Sequence, residues 1–222
     1  MPIGFAHRGA RAHAPENSLE AFALALAMGA EGLESDVWLS ADGVAVLDHD
    51  GVVDGVPIPR LERRALPAWV PTLEDLYREC GTRFELSLDL KHDAVADEVL
   101  RVADAAGATG RLWLCHWNWK RLVPLRAASP RVRLVDSTRV RHMGTPPHER
   151  AERMQKLGID ALNLHHSDWE PGLRDALRAR GRRVFAWDLQ ELQTLRAALA
   201  LGVDAVYSDH VDRMQAALAE VL

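Results

Sequence analysis

Short apolar segments recur eight times along this chain, each followed by a stretch of helical spacing, and that alternation limits the fold more than any other feature. The segments are PIGFAH, GLESDVW, RFELSLDLK, RLWLCHW, VRLVDS, DALNLHH, RRVFAWDL and VDAVYSD. Helices are expected over Ser18–Met28, Leu73–Glu79, Ala94–Ala106, Lys120–Ala128, His148–Leu157, Gly172–Arg180, Leu192–Leu201 and Val211–Leu222. In the first, Leu19, Phe22 and Leu26 share a face and Gly29 follows as a stop. Eight such units predict an α/β fold with a parallel sheet inside and helices outside, closed as a (β/α)8 TIM barrel. A doubly wound open sheet is the rival, but no glycine-rich phosphate fingerprint follows the first strand. Val44–Pro71 breaks the rhythm after the second strand: VAVLDHD reads as an extra short strand and the remainder as an irregular insertion too short to be a domain. The expectation is one domain, residues 1–222.

Composition narrows the partners. Lys and Arg number 27 against 32 Asp and Glu, a formal net charge of −5 with no basic block, so no nucleic-acid footprint is encoded and a small-molecule partner is expected. Cys80 and Cys115 have neither metal spacing nor enough partners for a disulfide framework, which favours a reducing cytoplasm. No uninterrupted apolar run approaches the roughly 18 residues of a membrane span, and MPIGFAHRG does not resemble a leader, so no export signal or stable membrane anchor is expected.

Strand parity then picks out polar side chains. The outward face of a barrel strand must be apolar because helices cover it, so alternate residues point inward. In ELSLDLK, Leu86, Leu88 and Leu90 face out, which turns Glu85, Ser87, Asp89 and Lys91 in. In LESDVWL, Leu33, Val37 and Leu39 face out, leaving Glu34, Asp36 and Trp38 in. Phe5 and His7 share a face of the first strand, and Ala45, Leu47 and His49 share one of the extra strand. Any one of these charges could be a buried ion pair or a solvated strand end. Together, Glu34, Asp36 and Asp89 without a cation would cost several kcal/mol, as an order of magnitude, in repulsion and desolvation. A hard divalent metal, Mg²⁺ or Ca²⁺, resolves that conflict, because an all-oxygen donor set favours either over Zn²⁺.

The order HRG (His7–Gly9), PENS (Pro15–Ser18), E-x-D (Glu34 to Asp36) and HD (His49–Asp50) resembles the glycerophosphodiester phosphodiesterases. VPTLEDLY, SLDLK, the Trp187 of FAWDL and the terminal GVDAVYSD look like later landmarks of that family, with the match weakest from Ala108 to Arg182. The resemblance implies a metal-dependent barrel enzyme that splits a glycerophosphodiester into an alcohol and sn-glycerol 3-phosphate. By motif, His7 and His49 resemble the general acid and base, Glu34, Asp36 and Asp89 the metal ligands, and Arg8 and Lys91 the phosphate-holding groups. One imidazole would deprotonate the nucleophile while the other protonates the leaving alkoxide. Glu16 is expected to pair with Arg8 and fix its direction. Asn17 either bonds near the metal or His7 or caps the first helix, a role that Ser18 is expected to fill. Trp187 is expected to line the substrate pocket.

Three departures from the family pattern bear on specificity. Asp89 stands where most members carry Glu, a feature shared with sphingomyelinase D-like enzymes, so the metal would shift or a water would intervene. GVVDGVPIPR replaces the usual glycine-rich stretch after HD, and AWDLQ brings in Asp188 and Gln190. A lysophospholipase D or sphingomyelinase D-like phosphodiesterase, or a phosphodiester-binding barrel without catalysis, are the alternatives. Outside the motifs, Asn163, His165, His116, Trp117 and Trp119 read as structural strand-end residues, Arg139 as a solvated arginine, and the insertion bearing Val52, Val53 and Ile58 as an ordinary packed loop rather than a flap that offers them to an acyl chain, while His13 has no role.

Overall fold

The computed structural model describes residues 1–221. Strand β1 (Ile3–Ala6) leads to α1 (Leu19–Ala27); β2 (Gly32–Leu39) is followed by β3 (Ala45–Leu47) and a small hairpin of β4 (Val52–Val53) and β5 (Val56–Pro57). Then come α2 (Leu73–Cys80), β6 (Glu85–Leu90), α3 (Val95–Ala105), β7 (Leu112–His116), α4 (Val123–Ala128), β8 (Arg133–Thr138), α5 (Val140–Met143) and α6 (Pro147–Leu157). The chain finishes with β9 (Ala161–His165), α7 (Pro171–Arg178), β10 (Arg183–Trp187), α8 (Leu192–Leu201), β11 (Ala205–Ser208) and α9 (Val211–Ala219). All eight expected strands are present, and of the last expected helix only Leu222 lies outside the described residues.

One sheet runs in the order β1-β11-β10-β9-β8-β7-β6-β2-β3, and a further pairing of β1 with β2 closes it. Every pairing is parallel except that of β3 on β2, so eight parallel strands form the barrel and β3 is an antiparallel addition outside it. Two apolar layers follow from the period-2 alternation of strands. Leu33, Leu86, Leu88, Leu114, Leu162 and Val184 join the helical Phe22, Leu73 and Leu195 in the outer layer. Phe5, Trp113, Val135, Phe185 and Tyr207 fill the interior. Phe5 stacks on Tyr207 with ring centres 4.8 Å apart, and Trp113 meets Phe185 edge-on at 5.0 Å. Burying each of these rings contributes about 1.5–3 kcal/mol. The plug makes the barrel a packed core, so polar groups at the strands' C-terminal ends face a floored cleft.

The insertion is a packed loop, as expected, and not a flap. Ile58 and Val53 are buried and, with Val46, Leu66 and Val70, build a satellite core; of Val52, Val53 and Ile58 only Val52 is exposed. Trp38 packs against this cluster, having been expected inside the barrel beside Glu34 and Asp36. The physical reason is that β2 outruns the barrel wall: its last residues pair with β3, so parity there refers to the insertion. Gly51, at φ +70°, would place a Cβ 2.3 Å from the Trp38 ring, so the turn tolerates only glycine. The expected helix over Lys120–Ala128 also divides, into a 3₁₀ turn at Trp119–Arg121 and α4, with Pro124 in the first turn, where a missing N–H costs nothing.

Candidate active site

His7 stands one residue beyond β1, its N–H bonded to the Ser208 carbonyl of β11 (3.0 Å). Its Nδ1 lies 2.6 Å from Asp209 Oδ1, and its Nε2 points to Glu34, 3.8 Å from Oε2. Burial lowers the His7 pKa, but the Glu34 charge and the Asp209 hydrogen bond outweigh it, so the imidazole holds its proton above the usual range. The next residue, Arg8, has φ +53°, a conformation costing on the order of 1–3 kcal/mol for a side-chain-bearing residue. That turn lets the Arg8 N–H donate to Glu34 Oε2 (3.0 Å) while its guanidinium reaches Glu16 (2.9 Å) and approaches Asp36 (3.4 Å). The ion pair expected between Arg8 and Glu16 is therefore present.

Asn17 also adopts positive φ, +53°, and its N–H bonds the Arg8 carbonyl. Its Oδ1 accepts from Ser35 Oγ at 2.7 Å, and its buried Nδ2 has no partner. Ser18 caps α1 by accepting from the Ala21 N–H. Capping thus falls to Ser18, and Asn17 braces the loop behind Arg8.

The carboxylates converge through register. Glu34 and Asp36 share a face of β2, and Asp36 lies directly opposite Asp89 of β6. One oxygen from each lies within 4.8 Å of the others, so the shorter Asp89 side chain reaches the cluster. Burial above all, opposed by His7 and reinforced by Asp36 and Asp89, pushes Glu34 up to about 8. Asp89 is raised as well, by burial and then despite Lys91. Lys91 Nζ sits 2.9 Å from Asp36 and 3.5 Å from Asp89; burial lowers its pKa, but those carboxylates carry it above the usual range. Asp36 Oδ2 is buried without a hydrogen bond. A crowded, underneutralised set of oxygens with one orphan lone pair fits a hard divalent cation.

His49 needs a correction of register. Strand β3 ends at Leu47, Ala45 and Leu47 face the outer core, and the turn held by Asp48 Oδ1 and the Gly51 N–H (2.6 Å) directs His49. Its Nδ1 lies 2.7 Å from Asp50, and the ring borders the same cleft as His7. The cleft, about 370 Å³, gathers His7, Arg8, Glu34, Asp36, His49, Asp89, Lys91 and Trp187. Glu16 and Asn17 stand behind its wall.

Sequence reasoning missed Asp209, and it named Asp188, Gln190, Asn163 and His165 without their bonds. Asp209, the partner of His7, is pulled below the ordinary carboxylate range: burial raises it, but His7 and Arg11 more than compensate. Gln190 Oε1 accepts from the Asp209 N–H (3.0 Å), and its amide donates to Asp188 (3.3 Å), which holds His165 at 3.0 Å. Asp188, at φ +63°, lines the cleft, as does Asn163. Arg139 is part-exposed, as expected of a solvated arginine, and is also forked onto Asp168 at 2.6 and 3.1 Å. The signal for Asp209 was the terminal VYSD, because in a closed barrel the last strand abuts the first.

Fold and site together define a barrel hydrolase of phosphoric diesters. The sequence profile of the Glycerophosphoryl diester phosphodiesterase family matches residues 7–61 and 60–213, and the chain belongs to that family. Among similar sequences, a glycerophosphodiester phosphodiesterase of Caldanaerobacter subterraneus subsp. tengcongensis is 23% identical over 231 residues, covering 92% of each chain. Among solved structures, the glycerophosphodiester phosphodiesterase of Thermotoga maritima superposes with TM-score 0.84 at 23% identity, covering 100% of this chain and 99% of that one. An Oleispira antarctica phosphodiesterase, solved in complex with the product sn-glycerol-3-phosphate, gives 0.87 at 23% identity, over 99% and 97%.

Proposed function

We propose that this protein hydrolyses glycerophosphodiesters to an alcohol and sn-glycerol 3-phosphate by paired-histidine catalysis supported by a divalent cation, Mg²⁺ or Ca²⁺. The carrying observation is that three mutually repelling carboxylates, two cationic side chains and two imidazoles share one floored cleft. Glu34, Asp36 and Asp89 would hold the cation, which when bound would polarise a phosphoryl oxygen. Arg8 and Lys91 add positive charge where the phosphoryl oxygens sit. Arg8 is aimed by its bonds to Glu16 and by the strained turn that Asn17 braces.

His7 is the general acid. Asp209 engages Nδ1, which leaves Nε2 towards the cleft, and the raised pKa keeps a proton there at neutral pH for the departing alkoxide. His49 is the general base that takes a proton from the attacking water. Trp187 offers an apolar wall to the substrate carbon skeleton. Free Cys80 and Cys115 suit a reducing cytoplasm as the working compartment, and no helix among the described residues is long and apolar enough to cross a membrane.

The test is hydrolysis of glycerophosphocholine with glycerol 3-phosphate as the quantified product. Activity with added Mg²⁺ or Ca²⁺ and its loss in chelator are expected; no glycerol 3-phosphate with either ion would end this reading. Phosphorus NMR of early product checks the water step, since a transient cyclic phosphate would assign the attack to a substrate hydroxyl instead.

A further inference from the structure

His13, left without a role by the catalytic reading, lies on the loop between β1 and α1, and the start of α9 faces it. Its Nε2 is 3.2 Å from Asp212 Oδ1, the His210 ring meets its own edge-on, and one ligand atom from each of the three lies within 4.8 Å of the other two. We propose that His13, His210 and Asp212 form a second metal site, separate from the carboxylate cluster and selective for a borderline transition-metal cation of the Zn²⁺ type.

The donor set carries the chemical class. Two imidazole nitrogens and one carboxylate suit Zn²⁺, Ni²⁺ or Co²⁺, whereas Mg²⁺ and Ca²⁺ prefer the all-oxygen set of Glu34, Asp36 and Asp89. Tetrahedral Zn²⁺ with bonds of about 2.0–2.2 Å sets its ligand atoms roughly 3.3–3.5 Å apart, close to the His13–Asp212 separation. The scaffold is pre-organised: the Ala12 N–H bonds the Asp209 carbonyl at 3.2 Å, stitching together the neighbours of His13 and His210. His13 and Asp212 are about one-third and one-half exposed, so an ion can enter and a water can complete the coordination. A cation there ties the His7–Arg8 loop to the segment carrying Asp209.

The test titrates Zn²⁺ into the full chain under saturating Mg²⁺ by calorimetry, with Co²⁺ absorption reporting geometry. A saturable equivalent with tetrahedral Co²⁺ bands is expected at this trio, counted apart from any taken up by His165, His166 and Asp188. His13→Ala and, independently, Asp212→Asn should weaken binding at least about tenfold and abolish the Zn²⁺-dependent rise in Tm. Asp36→Asn should leave it intact. Circular dichroism checks that the surface variants fold. Absence of saturable Zn²⁺ binding, or binding as tight as that of the unaltered protein in either His13→Ala or Asp212→Asn, overturns the proposal. The outcome is independent of whether the cleft hydrolyses glycerophosphodiesters.

Discussion

Glu85 and Asp89 lie on the same face of the same strand, four residues apart, yet they live in opposite electrostatic worlds. At the N-terminal end of the barrel, Glu85 accepts from Trp113 Nε1 (2.7 Å), Arg133 (2.6 Å) and Arg111 (3.4 Å), and the Arg133 guanidinium lies over the Trp113 ring. That carboxylate is fully satisfied. At the C-terminal end, Asp89 meets Asp36 and Glu34, with Lys91 as its near counterion, and the neighbouring Asp36 Oδ2 has no hydrogen bond. Inward polarity alone does not mark a functional group; unsatisfied inward polarity at the loop-bearing end does.

The comparison can be broken at either end. The largest effect is expected from the protons: His7→Ala or His49→Ala should lower kcat by about 10²-fold or more, and unchanged turnover in either would remove that residue from catalysis. Asp209→Asn should cost on the order of 10²-fold. Because Asp209 raises the His7 pKa, the basic limb of the kcat/KM profile should move to lower pH, a shift that a merely structural residue would not cause.

The two carboxylates themselves should then separate. Asp89→Asn should abolish metal-supported activity without lowering Tm, since it removes like-charge repulsion. Glu85→Ala should cost about 1–3 kcal/mol of stability, by orphaning Trp113 Nε1 and Arg133, and leave kcat intact well below Tm. Equal activity losses in the two variants would erase the distinction between the barrel's ends.

A smaller effect is expected in the pH dependence of stability in chelator. Glu34 is raised from 4.5 to about 8, so its contribution is complete below about 4.5 and is lost as pH rises through about 8. Thermal melts should therefore fall over that window. Mg²⁺ or Ca²⁺ should restore more at pH 8 than at pH 5, because cation and proton compete for the same oxygens. The smallest difference concerns the alcohol: glycerophosphocholine should be turned over faster than lysophosphatidylcholine, and the reverse order would favour the lysophospholipase D alternative.

The eight strands and their inward faces were legible because alternation is a local property of a strand whose outer side must meet helices. Glu34, Asp36, Asp89 and His7 could be placed by counting in twos. The same counting misplaced Trp38 and His49, one carried past the barrel wall and the other past the end of β3, where the pleat no longer governs direction.

By itself the sequence determined the strand–helix alternation, the inward direction of each strand carboxylate and the motif histidines, each of which depends on residues near one another along the chain. Only the tertiary structure decided which carboxylate orients His7. Asp209 is 202 residues away, and the two meet because β11 closes against β1. Likewise, only packing decided that Asn17 would brace a strained Arg8 and that Arg139 would be committed to Asp168. Long-range closure and the satisfaction of buried polar groups are properties of the whole fold, and no local period encodes them.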